Sequence, residues 1–128
     1  LPSRGSWDTV MATDTAADSE AESPTRPIAV DGSAALDKLV ASRDVVLVDF
    51  YADWCGPCQM LEPVVEGVAE ETSATVAKVD GCSNQQLASA YDVRGVPTLV
   101  LFADGTQVEE VVGVQSEDQL RSLVASYT

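Results

Sequence analysis

Cys55 and Cys58 stand two residues apart in the run Trp54-Cys55-Gly56-Pro57-Cys58. Two thiols at this spacing have three chemistries open to them: ligating a metal, closing a structural disulfide, or forming and reopening a disulfide as a redox dithiol. Zinc in a closed site takes four ligands. The chain has no His and only one further cysteine, Cys82, so carboxylates or a second chain would have to complete the shell. A structural disulfide across so short a loop stabilises little, because it removes little loop-closure entropy, and a reducing cytosol would open it. The redox reading has a positive mechanism. With Cys55 at a helix N-terminus, unpaired N–H groups and the helix dipole favour its thiolate, which is the attacking species. Gly56 and Pro57 keep the loop tight in the first helical turn, where proline's missing N–H costs nothing. Cys58, one turn in, is then placed to attack a mixed disulfide at Cys55.

The flanking sequence supplies the elements that must hold this pair. Residues 45–51, Val-Val-Leu-Val-Asp-Phe-Tyr, form a nearly continuous apolar and β-branched run, the pattern of a central strand buried on both faces. After the cysteines, Met60, Leu61, Val64, Val65 and Val68 predict the inward face of a helix, and Glu62, Glu66, Glu70 and Glu71 its outward face. Pro63 inside it predicts a kink. A short edge strand is expected at 27–30, and then a helix opening at Asp31-Gly32-Ser33 with Leu36, Leu39 and Val40 on one face. Residues 75–80 read as a strand parallel to the first central one, since a helix joins the two. Ser83 and Gln86 read as a capping box for a third helix carrying Leu87, Ala88 and Tyr91. Runs at 97–102 and 107–112 flank Asp104-Gly105, a hairpin turn signal. Ser116 and Gln119 cap a last helix with Leu120, Leu123, Val124 and Tyr127 on its apolar stripe. The expected order is β-α-β-α-β-α-β-β-α, an α/β arrangement with a mixed sheet of about five strands covered by four helices on its two faces.

Composition narrows the setting. The 128 residues carry 21 acidic and seven basic side chains, a formal net charge of -14, and Lys38 and Lys78 are the only lysines. Such a surface repels a phosphate backbone, so nucleic acid is not expected as a partner. Self-repulsion on this scale is relieved by salt, whose Debye length falls from about 10 Å at 0.1 M to about 3 Å at 1 M. Residues 28–128 alone hold 16 acidic and five basic residues, so the charge belongs to the folded part and points to the cytosol of a halophile. No apolar run approaches a membrane span, and no export signal is visible, so neither membrane association nor export is expected. Residues 1–26 are rich in Ser, Thr, Ala, Asp, Glu and Pro and are expected to be a disordered acidic extension before one domain at 27–128. Met11 is a candidate start, with residues 1–10 an added leader.

The run Val48-Asp49-Phe50-Tyr51-Ala52-Asp53-Trp54-Cys55-Gly56-Pro57-Cys58, taken with Arg94-Gly95-Val96-Pro97-Thr98 and Val112-Gly113, resembles the thioredoxin family from about residue 28 to the C-terminus. The resemblance implies the thioredoxin fold and a protein-disulfide reductase. Cys55 would be its nucleophile and Cys58 its resolving thiol, and together they would make a redox-active disulfide with no other cofactor and no metal. It implies that Asp49, a carboxylate within an apolar run, moves the proton of Cys58, and that Lys78 on the next strand lies near Asp49 and tunes it. Sequence alone favours a trans bond before Pro97, since only about 5–6% of X-Pro bonds are cis in folded proteins. The resemblance instead implies cis. It further implies a target-binding patch of Trp54, Gly56, Pro57, Gly95, Val96, Pro97, Gly113 and Val114, with the Val96 backbone pairing with an extended target segment.

Gln59 departs from the basic residue many members carry, and Cys82 has no role inherited from the family. It is read as a small packed residue, or else as a regulatory or dimer-forming thiol. The partners implied are disulfide-containing target proteins and a thioredoxin reductase, for a monomer acting in the cytoplasm. Two alternatives stay open: a non-catalytic docking or assembly subunit, and a disulfide oxidase or isomerase. The second is disfavoured by the absence of any His, which such relatives often place between the cysteines.

Overall fold

The structure, a computed structural model, describes residues 25–128. The extension expected over 1–26, its last two positions apart, and the candidate start at Met11 lie outside the described residues. The elements follow the expected order: β1 (Ile28–Ala29), α1 (Ser33–Ser42), β2 (Val45–Tyr51), α2 (Gly56–Glu71), β3 (Thr75–Asp80), α3 (Gln85–Ala90), β4 (Thr98–Ala103), β5 (Thr106–Val112) and α4 (Glu117–Ala125). The five strands form one sheet in the order β1-β3-β2-β4-β5. β3 runs parallel to β1 and β2, whereas β4 is antiparallel to both β2 and β5. This is the thioredoxin fold.

β2 lies at the centre, and six of its seven residues are buried. Its alternation divides the core. Val46, Val48 and Phe50 pack with Leu36 and Val40 of α1 and Leu87 of α3 on one face. Val45 and Leu47 pack with Leu61, Val65 and Val68 of α2 and Leu120 and Val124 of α4 on the other. The side chain of Asp49, in phase with Val45 and Leu47, therefore belongs to the face that α2 covers. The β4–β5 hairpin turns at Asp104 and Gly105, both at positive φ, as a two-residue turn twisted to match its strands requires. At the start of α4 the Ser116–Gln119 capping box forms in full.

Three local expectations need correction. The box at Ser83 and Gln86 does not form. α3 starts later, after Asn84, whose side chain instead accepts from the Gly32 N–H at 2.8 Å and donates to the Asp80 carbonyl at 3.0 Å. A buried amide that ties α1 to the end of β3 outweighs a local cap. Met60, expected inward, is 67% exposed, because it falls outside the stripe of Cys58, Leu61, Val65 and Val68 that α2 buries. Glu62, expected on the outward face, is only half exposed and paired with Lys78. The helix runs unbroken through Pro63. Among the described residues no helix is long and apolar enough to cross a membrane.

Candidate active site

The site lies where the C-terminal end of β2 meets α2. After Tyr51 the chain makes a tight turn, closed by the Cys55 N–H donating to the Ala52 carbonyl at 3.2 Å, and delivers Cys55 to the N-cap of α2. The Cys55 sulfur there accepts the backbone N–H of Cys58 at 3.1 Å. This bond, the free N–H groups of the first turn and the helix dipole all favour negative charge on that sulfur. Pro57 falls within the first turn. Cys55 and Cys58 stand at disulfide distance with Cα atoms 5.2 Å apart, and both sulfurs are largely buried among Ala52, Tyr51 and Val96. Two thiols held in this way can exchange two electrons without rearranging the fold.

The Val96–Pro97 bond is cis and presents the Val96 carbonyl oxygen 3.7 Å from the Cys55 sulfur. The Pro97 carbonyl accepts the Gly113 N–H at 2.9 Å, which brings the loop after β5 alongside; Gly113 sits at φ +93°, where a side chain would be strained. Trp54, Gly56, Pro57, Gly95 and Val114 are exposed, Val96 and Gly113 are partly so, and Pro97 is buried. Trp54 is 76% exposed beside the nucleophile position. A large apolar ring left in water at a reactive sulfur marks a place for another surface to land.

Asp49 is 1% exposed, and its Oδ1 has no hydrogen-bond partner among the described residues. Burial pushes its carboxyl up from the ordinary 3.8 to about 7; the Lys78 ammonium opposes the rise and the Glu62 carboxylate adds to it. Lys78 is the register partner of Asp49 across β2 and β3, so the two share a sheet face. It is not a solvated edge lysine. Its side chain is 17% exposed, its Nζ pairs with Glu62, and it lies 4.3 Å from the centre of the Tyr51 ring. Glu62 was not foreseen as part of this site. The one available signal was its spacing, four residues after Cys58 on the same side of α2.

Cys82 departs from the packed residue expected. It is exposed, and its sulfur accepts the Trp54 indole N–H at 3.3 Å. A contact across 28 positions leaves no periodic trace in the sequence.

Comparison with known proteins places this geometry. A family model described as Thioredoxin matches residues 27–126. The chain is similar to the thioredoxin of Mycobacterium bovis, at 47% identity over 92 residues, covering 70% of this chain and 78% of that protein. It is also similar to the thioredoxin of Chlamydia trachomatis, at 46% over 84 residues, 65% of this chain and 82% of that one. Among solved structures, a mutant thioredoxin from Halobacterium salinarum NRC-1 is 68% identical with a TM-score of 0.81, covering 83% of this chain and 94% of its own.

Proposed function

The chain belongs to the thioredoxin family of thiol–disulfide oxidoreductases, and from that premise we propose how this reductase uses its residues. The Cys55 thiolate attacks one sulfur of a target disulfide, and the other target sulfur leaves as a thiolate. Cys58 loses its proton to Asp49 and attacks the Cys55 sulfur, releasing the second target thiolate. The target gains two electrons, and Cys55–Cys58 becomes the disulfide. A thioredoxin reductase returns it to the dithiol. Trp54, Gly56, Pro57, Gly95, Val96, Pro97, Gly113 and Val114 receive the target, whose extended backbone pairs with that of Val96. The single observation supporting this reading most is the Cys55 sulfur at the N-cap of α2, accepting the Cys58 N–H at 3.1 Å within disulfide reach of its partner.

The test is turnover of a protein disulfide with dithiothreitol as electron source. Cys55→Ser should fall to the uncatalysed background, and a variant as fast as wild type would refute the mechanism.

The same reading places the protein, as a monomer, in the cytoplasm of a halophile, supported by the charge of -14 and by similarity to a Halobacterium thioredoxin. Melting temperature should therefore rise from low to molar salt. For a domain this size each kcal/mol of relieved repulsion corresponds to about 4–8 °C. A melting temperature unchanged across that range would remove the halophile assignment.

A further inference from the structure

Three charged groups meet on the sheet face covered by α2: Asp49 on β2, Lys78 beside it on β3 and Glu62 on α2, one turn beyond Cys58. The β4 neighbour of Asp49 is Leu99, and β4 carries no ionisable residue, so Lys78 and Glu62 are the charged groups that the packed elements bring to act on Asp49. One ammonium thus lies within reach of two carboxylates. It pairs with Glu62, and Asp49 keeps an oxygen with no hydrogen bond.

That choice has a chemical consequence. An ammonium bonded directly to Asp49 would hold it as a stable carboxylate, a poor receiver of the Cys58 proton. With Lys78 drawn toward the half-exposed Glu62 and held over the Tyr51 ring, its charge is largely answered at the edge of the site, and burial governs Asp49. We propose that Glu62 is a positioning residue of the exchange reaction: its carboxylate holds the Lys78 ammonium off Asp49 and leaves Asp49 free to take the proton of Cys58 and return it to solvent. The step is balanced. The Cys58 S–H bond breaks, the proton moves to an Asp49 oxygen, the sulfur's electron pair forms the bond to Cys55, and the target thiolate leaves. Burial is the largest influence on the Asp49 carboxyl, with the Lys78 ammonium lowering it and the Glu62 carboxylate raising it. The inference rests on the reductase reading above.

The experiment titrates the Asp49 carboxyl by carbon NMR in oxidised protein and measures the pH profile of target reduction. Wild type, Glu62→Gln, Lys78→Met and the double variant are compared at one salt concentration. Glu62→Gln should lower the Asp49 midpoint by roughly half a pH unit or more, since Lys78 is then left with Asp49 as its carboxylate partner. The pH profile should move with it. In the Lys78→Met background the same substitution should shift the midpoint less than half as far, because no ammonium remains to be placed. Equal shifts in both backgrounds would show Glu62 acting through its own charge alone and would overturn the proposal, as would an unmoved midpoint in an active protein. A wild type no faster than Cys55→Ser would instead overturn the reductase mechanism on which the proposal rests.

Discussion

Asp49→Asn should make the protein more stable at pH 8 and no more stable near pH 4. Asp49 titrates near 7 when folded, against an ordinary 3.8, chiefly because burial penalises its charge. Below pH 4 both folded and unfolded chains hold the proton, and the group contributes nothing. Between about 4 and 7 the unfolded chain has lost its proton while the folded chain keeps it. The folded state then binds more protons, so stability falls as pH rises. Above 7 the penalty is complete, and about three units at about 1.4 kcal/mol each set it at roughly 4 kcal/mol. Asparagine has nearly the same volume and never ionises, although its buried amide gives back about 1–3 kcal/mol if unpaired. A net gain of roughly 1–4 kcal/mol at pH 8 is expected from urea denaturation in molar salt. Parallel stability curves for the two proteins from pH 4 to 8 would mean that Asp49 titrates normally and cannot serve the exchange as proposed.

Cys58→Ser should abolish turnover by a different route from the loss of Cys55. The first attack remains possible, because the N-cap position and the backbone N–H of residue 58 that favour charge on the Cys55 sulfur are main-chain features. The second attack is lost, since a serine hydroxyl offers no thiolate. A tethered, well-oriented nucleophile reaches effective molarities of about 10⁵ M or more, so external thiol at ordinary concentrations is a poor substitute. Steady-state reduction should drop by roughly a hundredfold or more while the first target thiolate is still released once per protein. Turnover above a tenth of wild type would remove Cys58 from its resolving role.

Much of the architecture was written in local pattern. The apolar run at 45–51, the Asp104-Gly105 turn and the Ser116–Gln119 cap each fix an element through interactions within a few residues, and each formed where expected. The active-site turn was legible because a proline and two cysteines at a strand-to-helix junction have few other uses. Long-range choices were not legible. Asn84 displaced the Ser83 cap because its amide satisfies two backbone groups from other elements, a tertiary gain that no window around residue 83 contains. Helical periodicity sorts α2 into two faces, but its apolar residues outnumber the buried stripe of Cys58, Leu61, Val65 and Val68, so Met60 was assigned inward. It also cannot tell that Glu62 reaches across to Lys78. Cys82 meets Trp54 only because β2 and β3 run parallel and end side by side.

The central claim is that Cys55 makes the covalent bond to the target, and the most direct measurement is the mass of the trapped intermediate. Cys58→Ser, in a Cys82→Ser background that removes the one other thiol, is mixed with a disulfide-bonded peptide and digested without reductant. The mechanism predicts one half-peptide joined to the fragment carrying Cys55 and no such adduct when Cys55 is replaced instead. No adduct at Cys55, or an equal yield at Cys58 in the Cys55→Ser protein, would contradict it.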